Sequence, residues 1–488
     1  MTVNPYLGVG QVATAERFVG RRDLLRLLEN SWRGPRPANL SLQGNHRMGK
    51  TSVVRRAQEL FAVDRPDLLV VYLSVAAYES GADVFRAVVA RVRQAAERLN
   101  QPGDGAPPDW LAGLNDIELS VHSSTEWLDL KECFEAFFTA LHRVGVGVGV
   151  ILDEFDQAEV FRRVEFQLLR DLVSEKNYSA GLVTLSRRSI KSIELAAVAH
   201  STLDGVMGMR RPVGPFRDDE VAAMLARADD AGVDLTDLRP EIVRRAGNHP
   251  YLIELFCHEL VETHLTDRLD AALAWEQVES QFRDQFTRSI ANLNADTGER
   301  GGDLLYQVLT RTYLTIDSQD IALLRRLGLV RPDGATVALL SPEFAQQVRR
   351  MALTNALHGW WIDRDLALRA HVRERLTRSW GEGWGAELSR GVGGAAAAPG
   401  RWYGGPEGVP LVAADRLDPL DRLDTAEVID LVLLNWELFE SHLGGDPAAW
   451  KERAEAVTQA RQAADRGSPL DADLRRRAEH SLDGLPPA

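Results

Sequence analysis

The feature that most constrains this chain is the stretch 44–51, which fits the pattern G-x-x-x-x-G-K-[ST]. An apolar run at 40–42 precedes it and a helical pattern at 52–60 follows, so it lies between a predicted strand and a predicted helix. Glycines let such a loop curl until its N–H groups point at phosphates. We expect Lys50 to reach the outer phosphates and Thr51 to reach Mg²⁺. The predicted phosphate-contacting residues are Gly44, Asn45, His46, Arg47, Met48, Gly49, Lys50, Thr51 and Ser52.

Lysine is rare in this chain, which adds weight to the one at position 50. Only five of the 57 basic residues are lysines. A compact ammonium is chemically different from a planar guanidinium, so a lysine here favours phosphate binding. The alternative is a glycine-rich turn that matches the pattern by chance, and the flanking strand and helix patterns argue against it.

A second motif is the apolar run 144–152, which is followed by Asp153 and Glu154. The run lacks polar alternation, as expected for a parallel strand covered on both faces. Two acids at the end of a buried strand lose hydration, so function explains them better than a solvated face does. We expect Asp153 to hold Mg²⁺ and Glu154 to orient or deprotonate the attacking water. Asp156 has two interpretations: it supports this site, or it caps the following helix.

A third predicted strand, 181–185, ends in Ser186 and Arg187. Because parallel strands end at one edge of a sheet, these polar groups fall beside the first two motifs. Either side chain could sense the γ-phosphate, and Arg187 there would stabilise the charge that develops during phosphoryl transfer. The alternative is a surface arginine next to Arg188, since arginines are mostly exposed.

With these motifs in order, the chain resembles a bacterial member of the AAA+/STAND class of P-loop ATPases over roughly residues 1–355. Segments 4–6 and 18–22 are similar to the N-terminal signature of the class, and 214–216 and 247–251 resemble turns that open and close its helical lid. The resemblance implies ATP and Mg²⁺ as ligands. It also implies further nucleotide contacts from Tyr6, Val19, Gly20, Arg21 and Pro250.

The expected fold class is an α/β P-loop NTPase core, with a parallel sheet flanked by helices, in residues 1–213. Residues 214–296 are expected to form a lid, since the segment from about 217 to 296 has helical patterns throughout. Residues 297–355 combine short helices with a predicted β-hairpin and resemble a winged helix. An all-α region at 362–488 resembles a HEPN-type domain, and its Gly-, Ala- and Pro-rich stretch 391–410 predicts a flexible loop.

The C-terminal region lacks the residues expected of an active HEPN ribonuclease. In that class an arginine is often followed by asparagine, and a histidine comes a helical turn or so later. Here Arg461 is followed by Gln462 in place of the asparagine, and Arg466 occupies the histidine position. Arginine keeps its proton near neutral pH and cannot act as the general acid or base. The pair Arg475 and His480 lies in a charged run that is typical of a solvated helix face. We therefore expect a scaffold or interaction role without RNA cleavage.

The overall composition limits the partners. A net charge of −14 disfavours a general electrostatic hold on nucleic acid, although a local basic face around Arg325 and Arg326 could provide one. Cys133 and Cys257 lie in apolar patterns, which is typical of thiols in a reducing cytoplasm. No signal-peptide pattern or membrane-length apolar run is recognised, so we expect a cytoplasmic protein with no membrane contact.

Two functions fit these features. The first is a regulatory switch that binds and slowly hydrolyses ATP, and thereby exposes the C-terminal helices to a protein partner or to another copy of the chain. A place in defence or stress signalling follows from the resemblance alone. The second is a DNA-associated ATPase that holds DNA with its winged helix. A steep salt dependence of DNA binding would favour the second.

Overall fold

The computed structural model divides into two compact units, residues 1–282 with 326–328 and residues 283–325 with 329–488. It describes residues 3–481 apart from these positions: 35, 62–66, 100–108, 201, 299, 311–315, 334–335, 355–357, 382, 385–419, 421–424, 444–445, 466–472, 474–475 and 478–479. The predicted loop 391–410, Arg466 and Arg475 therefore lie outside the described residues.

A parallel five-stranded sheet forms the centre of the first unit, in the order β2-β3-β4-β1-β5. Strand β4 separates β1, which leads into the 44–51 loop, from β3, which carries the acidic pair. The carboxyl ends of these strands meet at one edge, since Leu42 pairs with Leu185 and Leu152 pairs with Thr184. The strands are β1 (Leu40–Gln43), β2 (Leu68–Ser74), β3 (Gly147–Asp153), β4 (Ala180–Ser186) and β5 (Met209–Pro212).

Helices cover both faces of this sheet. Along β3, Val150 and Leu152 join one hydrophobic cluster, while Ile151 joins the other. Every residue of β3 and β4 is buried, which confirms strands enclosed on both faces and the predicted α/β core. The helices of this unit are α1 (Arg22–Arg33), α2 (Lys50–Phe61), α3 (Gly81–Leu99), α4 (Asp109–Ser123), α5 (Trp127–Arg143), α6 (Arg163–Ser174), α7 (Ile190–Val198), α8 (Asp218–Leu225), α9 (Arg239–Ala246), α10 (Pro250–Thr266) and α11 (Ala271–Thr297), within which the unit boundary falls.

Two predicted boundaries were wrong. The strand expected from residue 144 begins at Gly147, because the N–H groups of Val144 and Val146 turn back to the carbonyl of Leu141. The region 217–296 is not helical throughout. After α8 a 3-10 helix (Ala226–Ala231) ends at a left-handed Gly232, and regular helix resumes only with α9.

The second unit contains a helix-helix-hairpin-helix order followed by further helices. Its antiparallel hairpin pairs Val330 with Leu339, as predicted, while its assignment as a winged helix stays a prediction. A separate core contains Phe439 and Trp450, with Trp436 packed against it. The elements are α12 (Gly301–Thr310), α13 (Ser318–Arg326), β6 (Val330–Asp333), β7 (Thr336–Leu339), α14 (Pro342–Thr354), α15 (His358–Trp380), α16 (Thr425–Leu434), α17 (Trp436–Leu443) and α18 (Pro447–Asp465). Across the described residues, none of the helices has the length and apolarity needed to cross a bilayer.

Candidate nucleotide-binding site

The loop between β1 and α2 has the tight curvature that the sequence pattern predicts. Its first N–H, from Gly44, donates to the carbonyl of Ser186 at 3.0 Å, which fixes the start of the loop against the end of β4. Arg47 and Gly49 then adopt left-handed conformations, with φ of 60° and 86°. Helix α2 begins directly afterwards at Lys50. The loop therefore leads into a helix N-terminus, which carries positive partial charge and favours anions.

Gly44 is a position where the structure leaves no room for a side chain. A Cβ there would lie 2.2 Å from the carbonyl oxygen of Val213, which is backbone and cannot move aside. We expect Gly44→Ala to destabilise the protein by about 1–3 kcal/mol in urea unfolding. Gly113→Ala is the matched control, because it adds a methyl group to an exposed turn of α4 with nothing within 4 Å. The control should gain about 0.5–1 kcal/mol; equal effects of the two changes would contradict the steric argument.

Lys50 already contacts the loop that it is expected to serve. Its ammonium donates to the carbonyls of Gly44 at 2.7 Å and Asn45 at 2.9 Å. An ammonium has three N–H groups, so one remains for a phosphate oxygen. Burial lowers the pKa of Lys50 to about 8, with a smaller lowering from Arg187 and an opposing effect of Asp153. The group is therefore still a cation at pH 7.

The two residues predicted to hold magnesium lie together. The Thr51 hydroxyl donates to Asp153 Oδ2 at 2.6 Å, and the Tyr72 hydroxyl donates to the same oxygen at 2.8 Å. A hydroxyl and a carboxylate are hard oxygen ligands, and Mg²⁺ is commonly bound by one or two such groups together with substrate phosphates and water. The described residues contain no cluster of three or more His, Cys, Asp or Glu side chains that could hold a metal alone. The donor set thus fits Mg²⁺ that is shared with a phosphate.

Glu154 leaves the end of β3 in a strained conformation. Its φ and ψ are 52° and 38°, the left-handed region that side chains other than glycine rarely adopt. Its N–H donates to Asp153 Oδ1 at 2.7 Å, and its exposed carboxylate accepts a hydrogen bond from the hydroxyl of Ser74. The turn directs Glu154 away from the buried strand, so its carboxylate is presented next to Asp153.

Asp156 connects the ends of β3 and β4. Its carboxylate accepts the backbone N–H of Arg187 at 2.7 Å and that of Arg188 at 3.0 Å. Asp156 therefore supports the site rather than capping the next helix. The Ser186 hydroxyl donates to the carbonyl of Arg188 at 2.6 Å and is thus used within this turn. Arg187 lies close enough to Lys50 to lower its pKa, while Arg188 pairs with Asp156 and Glu159.

Arg21 joins three parts of the first unit. Its guanidinium donates to the carbonyls of Gly214 at 2.6 Å and Met48 at 3.1 Å. Its N–H donates to Glu220 Oε1 at 2.5 Å, and a Cβ at Gly20 would lie 2.6 Å from the same oxygen. The N-terminal segment, the 44–51 loop and helix α8 are therefore tied together around one arginine. From the sequence, Glu220 is only an acid in the first turn of a helix, and its contact with Arg21 could not be predicted because the N-cap is Arg217 rather than a residue of the capping-box pattern.

The other predicted nucleotide contacts have different surroundings. Tyr6 is fully buried, and its hydroxyl donates to the carbonyls of Met224 and Leu225 at 2.8 and 3.1 Å. It thereby anchors the N-terminal segment to helix α8, and the nucleotide contact expected of it stays a prediction. Ser52 accepts the N–H of Ala13 at 3.0 Å. Val19 is half-buried and His46 is exposed.

The start of α10 places two further side chains beside the phosphate loop. The Arg47 guanidinium lies 4.0 Å from the ring centroid of Tyr251, a cation–π contact between the loop and α10. Pro250 opens α10, and His249 before it is only 2% exposed. Neither ring nitrogen of His249 has a hydrogen-bond partner among the described residues. Burial lowers the pKa of His249 to about 3, opposed by the residue's own backbone and assisted by the positive charges of Arg47 and Arg21.

Comparison with known proteins gives distant structural likenesses. Neither the protein-family models nor the curated proteins contain a match to this chain. A Walker-type ATPase of Pyrococcus abyssi is 14% identical, with 69% of this chain and 97% of that one covered and a TM-score of 0.48. ORC1 of Aeropyrum pernix in complex with DNA is 16% identical, with 72% of this chain and 97% of that one covered and a TM-score of 0.39. A RuvB variant of Thermotoga maritima is 13% identical, with 66% of this chain and 93% of that one covered and a TM-score of 0.34. At values this low, the likenesses carry no functional conclusion.

Proposed function

We propose that the first unit binds ATP with Mg²⁺ and slowly hydrolyses it to drive a regulatory switch. The observation that carries this proposal is the meeting of Lys50, Thr51 and Asp153 at the end of the sheet. A half-buried cation contacts the glycine loop, and a hydroxyl 2.6 Å from a carboxylate forms an oxygen pair beside it. Structural roles alone do not explain a strained acid at the next position.

Each residue has a distinct task in the proposed reaction. The loop N–H groups and Lys50 hold the β- and γ-phosphates, and Thr51 with Asp153 would hold Mg²⁺, which supplies charge neutralisation at the phosphate oxygens when bound. Glu154 accepts a proton from water as the water oxygen bonds to the γ-phosphorus and the bond to the β-phosphate oxygen breaks. Arg187 stabilises the charge on the departing phosphoryl group.

The switch follows from contacts between the loop and the lid. Arg47 is part of the phosphate loop, yet its guanidinium lies against Tyr251 of α10. Arg21 likewise contacts both Met48 in the loop and Gly214 before the lid. A phosphate that competes for Arg47 changes the free energy of the lid contact, so ATP biases the lid position. We propose that the C-terminal helices deliver the output to a protein partner or to a second copy.

Calorimetry of ATP binding with magnesium tests the proposal, and Glu154→Gln tests the mechanism. We expect Glu154→Gln to lower the hydrolysis rate about 100-fold, because it removes the general base. Its ATP affinity should stay near the parental value, since the amide keeps the size of the carboxyl group. Glu175→Gln, an exposed residue after α6, is the matched control. Equal hydrolysis rates for Glu154→Gln and the parent would remove Glu154 from the mechanism.

A DNA-associated ATPase is the second candidate, because the hairpin region exposes several arginines. Arg325, Arg331, Arg349 and Arg350 are all exposed in and around the hairpin. Phosphate contacts from arginine give an affinity that falls steeply with salt. Gel shifts over a salt series separate the two candidates, since a pure switch shows no DNA binding even at low salt.

A further inference from the structure

A groove of about 360 Å³ runs along the outer edge of β2, outside the proposed ATP site. Strand β2 is at one end of the sheet and pairs only with β3 among the described strands. Five consecutive residues of β2, 70–74, line the groove, together with side chains from α2 and α3. A groove that follows five residues of one strand is long and narrow enough to hold an extended ligand.

The backbone of β2 is oriented to receive a further strand. The carbonyl of Asp67 accepts the N–H of Gly147 in β3, so residues 67, 69, 71 and 73 direct their peptide groups towards β3. By alternation, the peptide groups of Val70, Tyr72 and Ser74 face the groove. The contact from Gln58 Nε2 to the carbonyl of Val70, at 3.2 Å, agrees with this orientation. Addition of a strand to such an edge is a recurring way to bind peptides.

The charge of the groove selects an acidic partner. Arg55, Arg91 and Arg98 line it, and among the residues that the structure describes no carboxylate does. Within the described part of the chain, none of the three forms an ion pair with a carboxylate. Arg55 instead stacks on the Tyr72 ring at 3.6 Å. Three cations that have no carboxylate partner among the described residues, placed around an open strand edge, are complementary to glutamate or aspartate side chains.

Tyr72 connects the groove with the proposed ATP site. Its ring lies under Arg55 in the groove, while its hydroxyl donates to Asp153 Oδ2 at 2.8 Å. A segment that pairs with β2 and takes up the charge of Arg55 would therefore act on the side chain that holds the metal-binding carboxylate.

We propose that this groove binds an extended acidic segment of a partner polypeptide as an added strand on β2, and that Tyr72 transmits its binding to Asp153. The binding of the segment is inferred from the groove alone. Its effect on Asp153 through Tyr72 rests on the proposed ATP site. The simpler explanation is that the arginines only protect an edge strand from aggregation, as charges on edge strands commonly do.

Fluorescence anisotropy without nucleotide tests the docking. The probe is a labelled peptide of about six residues that alternates glutamate and valine, a length that spans β2. We expect a Kd of about 10–100 µM, and a loss of about tenfold or more in the double variant Arg91→Glu/Arg98→Glu. Arg143→Glu, an exposed position of α5 outside the groove, is the matched control and should bind as the parent does.

Several results would overturn the docking proposal. The first is equal binding of the acidic probe by the parent and the double variant. The second is that the parent binds a peptide with lysine in place of glutamate as tightly as the acidic probe. The third is that a three-residue acidic peptide binds as tightly as the six-residue one. The last result would identify a general anion pocket. Circular dichroism of the double variant shows whether the fold is kept. If it is lost, Arg98→Gln supplies the comparison with a milder change.

The transmission has a separate test. Saturating acidic peptide should shift the ATP affinity of the parent at least about threefold, a modest coupling energy. Tyr72→Phe should still bind the peptide but show no such shift, because the ring remains while the hydrogen bond to Asp153 is gone. Peptide binding without any shift in the parent overturns the transmission and leaves the docking intact. Absence of ATP binding in the parent contradicts the proposed function instead.

Discussion

Lys50→Ala is expected to lower ATP affinity at least about 100-fold, which corresponds to about 2.7 kcal/mol of binding free energy. The ammonium group of Lys50 is held at the phosphate loop by hydrogen bonds that it donates to the carbonyls of Gly44 and Asn45. Alanine removes a charge-assisted contact to the phosphates and leaves two loop carbonyls without their donor. Isothermal calorimetry with ATP and magnesium measures the change.

Lys191→Ala is the matched control, because it removes the same charge from an exposed position of α7. Its ATP affinity should equal that of the parent. Unfolding in urea should also show that Lys50→Ala is folded, so that lost binding reports the site. Retention of parental affinity by Lys50→Ala would remove the phosphate loop from the proposed function.

The pH dependence of binding offers an independent check on the same residue. Burial lowers the pKa of Lys50 to about 8, and binding to phosphate favours the protonated form. Between this pKa and the higher pKa in the complex, ATP affinity should fall as the pH rises, by up to tenfold per pH unit. Below pH 8 the ammonium is already protonated, and Lys50 should contribute little pH dependence. A flat profile from pH 7 to 10 would contradict the assigned role.

The sequence was sufficient to predict those parts of the site whose chemistry is local. The glycine loop lies between a strand and a helix as the motif requires, and Asp153 ends a buried strand. Parallel strands end at one edge, so the meeting of Thr51 with Asp153 follows from two motifs about a hundred residues apart. These residues could be predicted because each motif carries its own local signal.

The residues that the sequence did not reveal act through long-range contacts. Tyr72 looks like one more strand residue, and only the pairing of β2 with β3 shows that its hydroxyl reaches Asp153. Glu220 lies 199 positions after Arg21 in the sequence, yet its carboxylate accepts the backbone N–H of Arg21. Asp156 had two interpretations until the turn after β4 showed which N–H groups it accepts. Pairings of this kind depend on the tertiary fold, which no short pattern encodes.

Below pH 6.5 the protein should lose stability because of His249, and this is the second large effect that we expect. The folded state keeps the ring neutral, with a pKa lowered to about 3 by burial, whereas the unfolded chain restores a value near 6.5. The unfolded state therefore binds more protons between these two pKa values. Stability from this group is complete above pH 6.5 and falls as the pH drops. At pH 4.5 the loss is about 2.7 kcal/mol.

Urea unfolding of His249→Phe between pH 4 and 8 isolates this contribution. Phenylalanine cannot be protonated, so the difference in unfolding free energy between variant and parent should grow in favour of the variant as the pH falls. The change should cost no hydrogen bond to another residue, because neither ring nitrogen of His249 has such a partner in the described residues. His264→Phe, at an exposed position of α10, should keep the parental pH profile. Parallel profiles for His249→Phe and the parent would mean that His249 is protonated in the folded protein, which its burial beside Arg47 and Arg21 opposes.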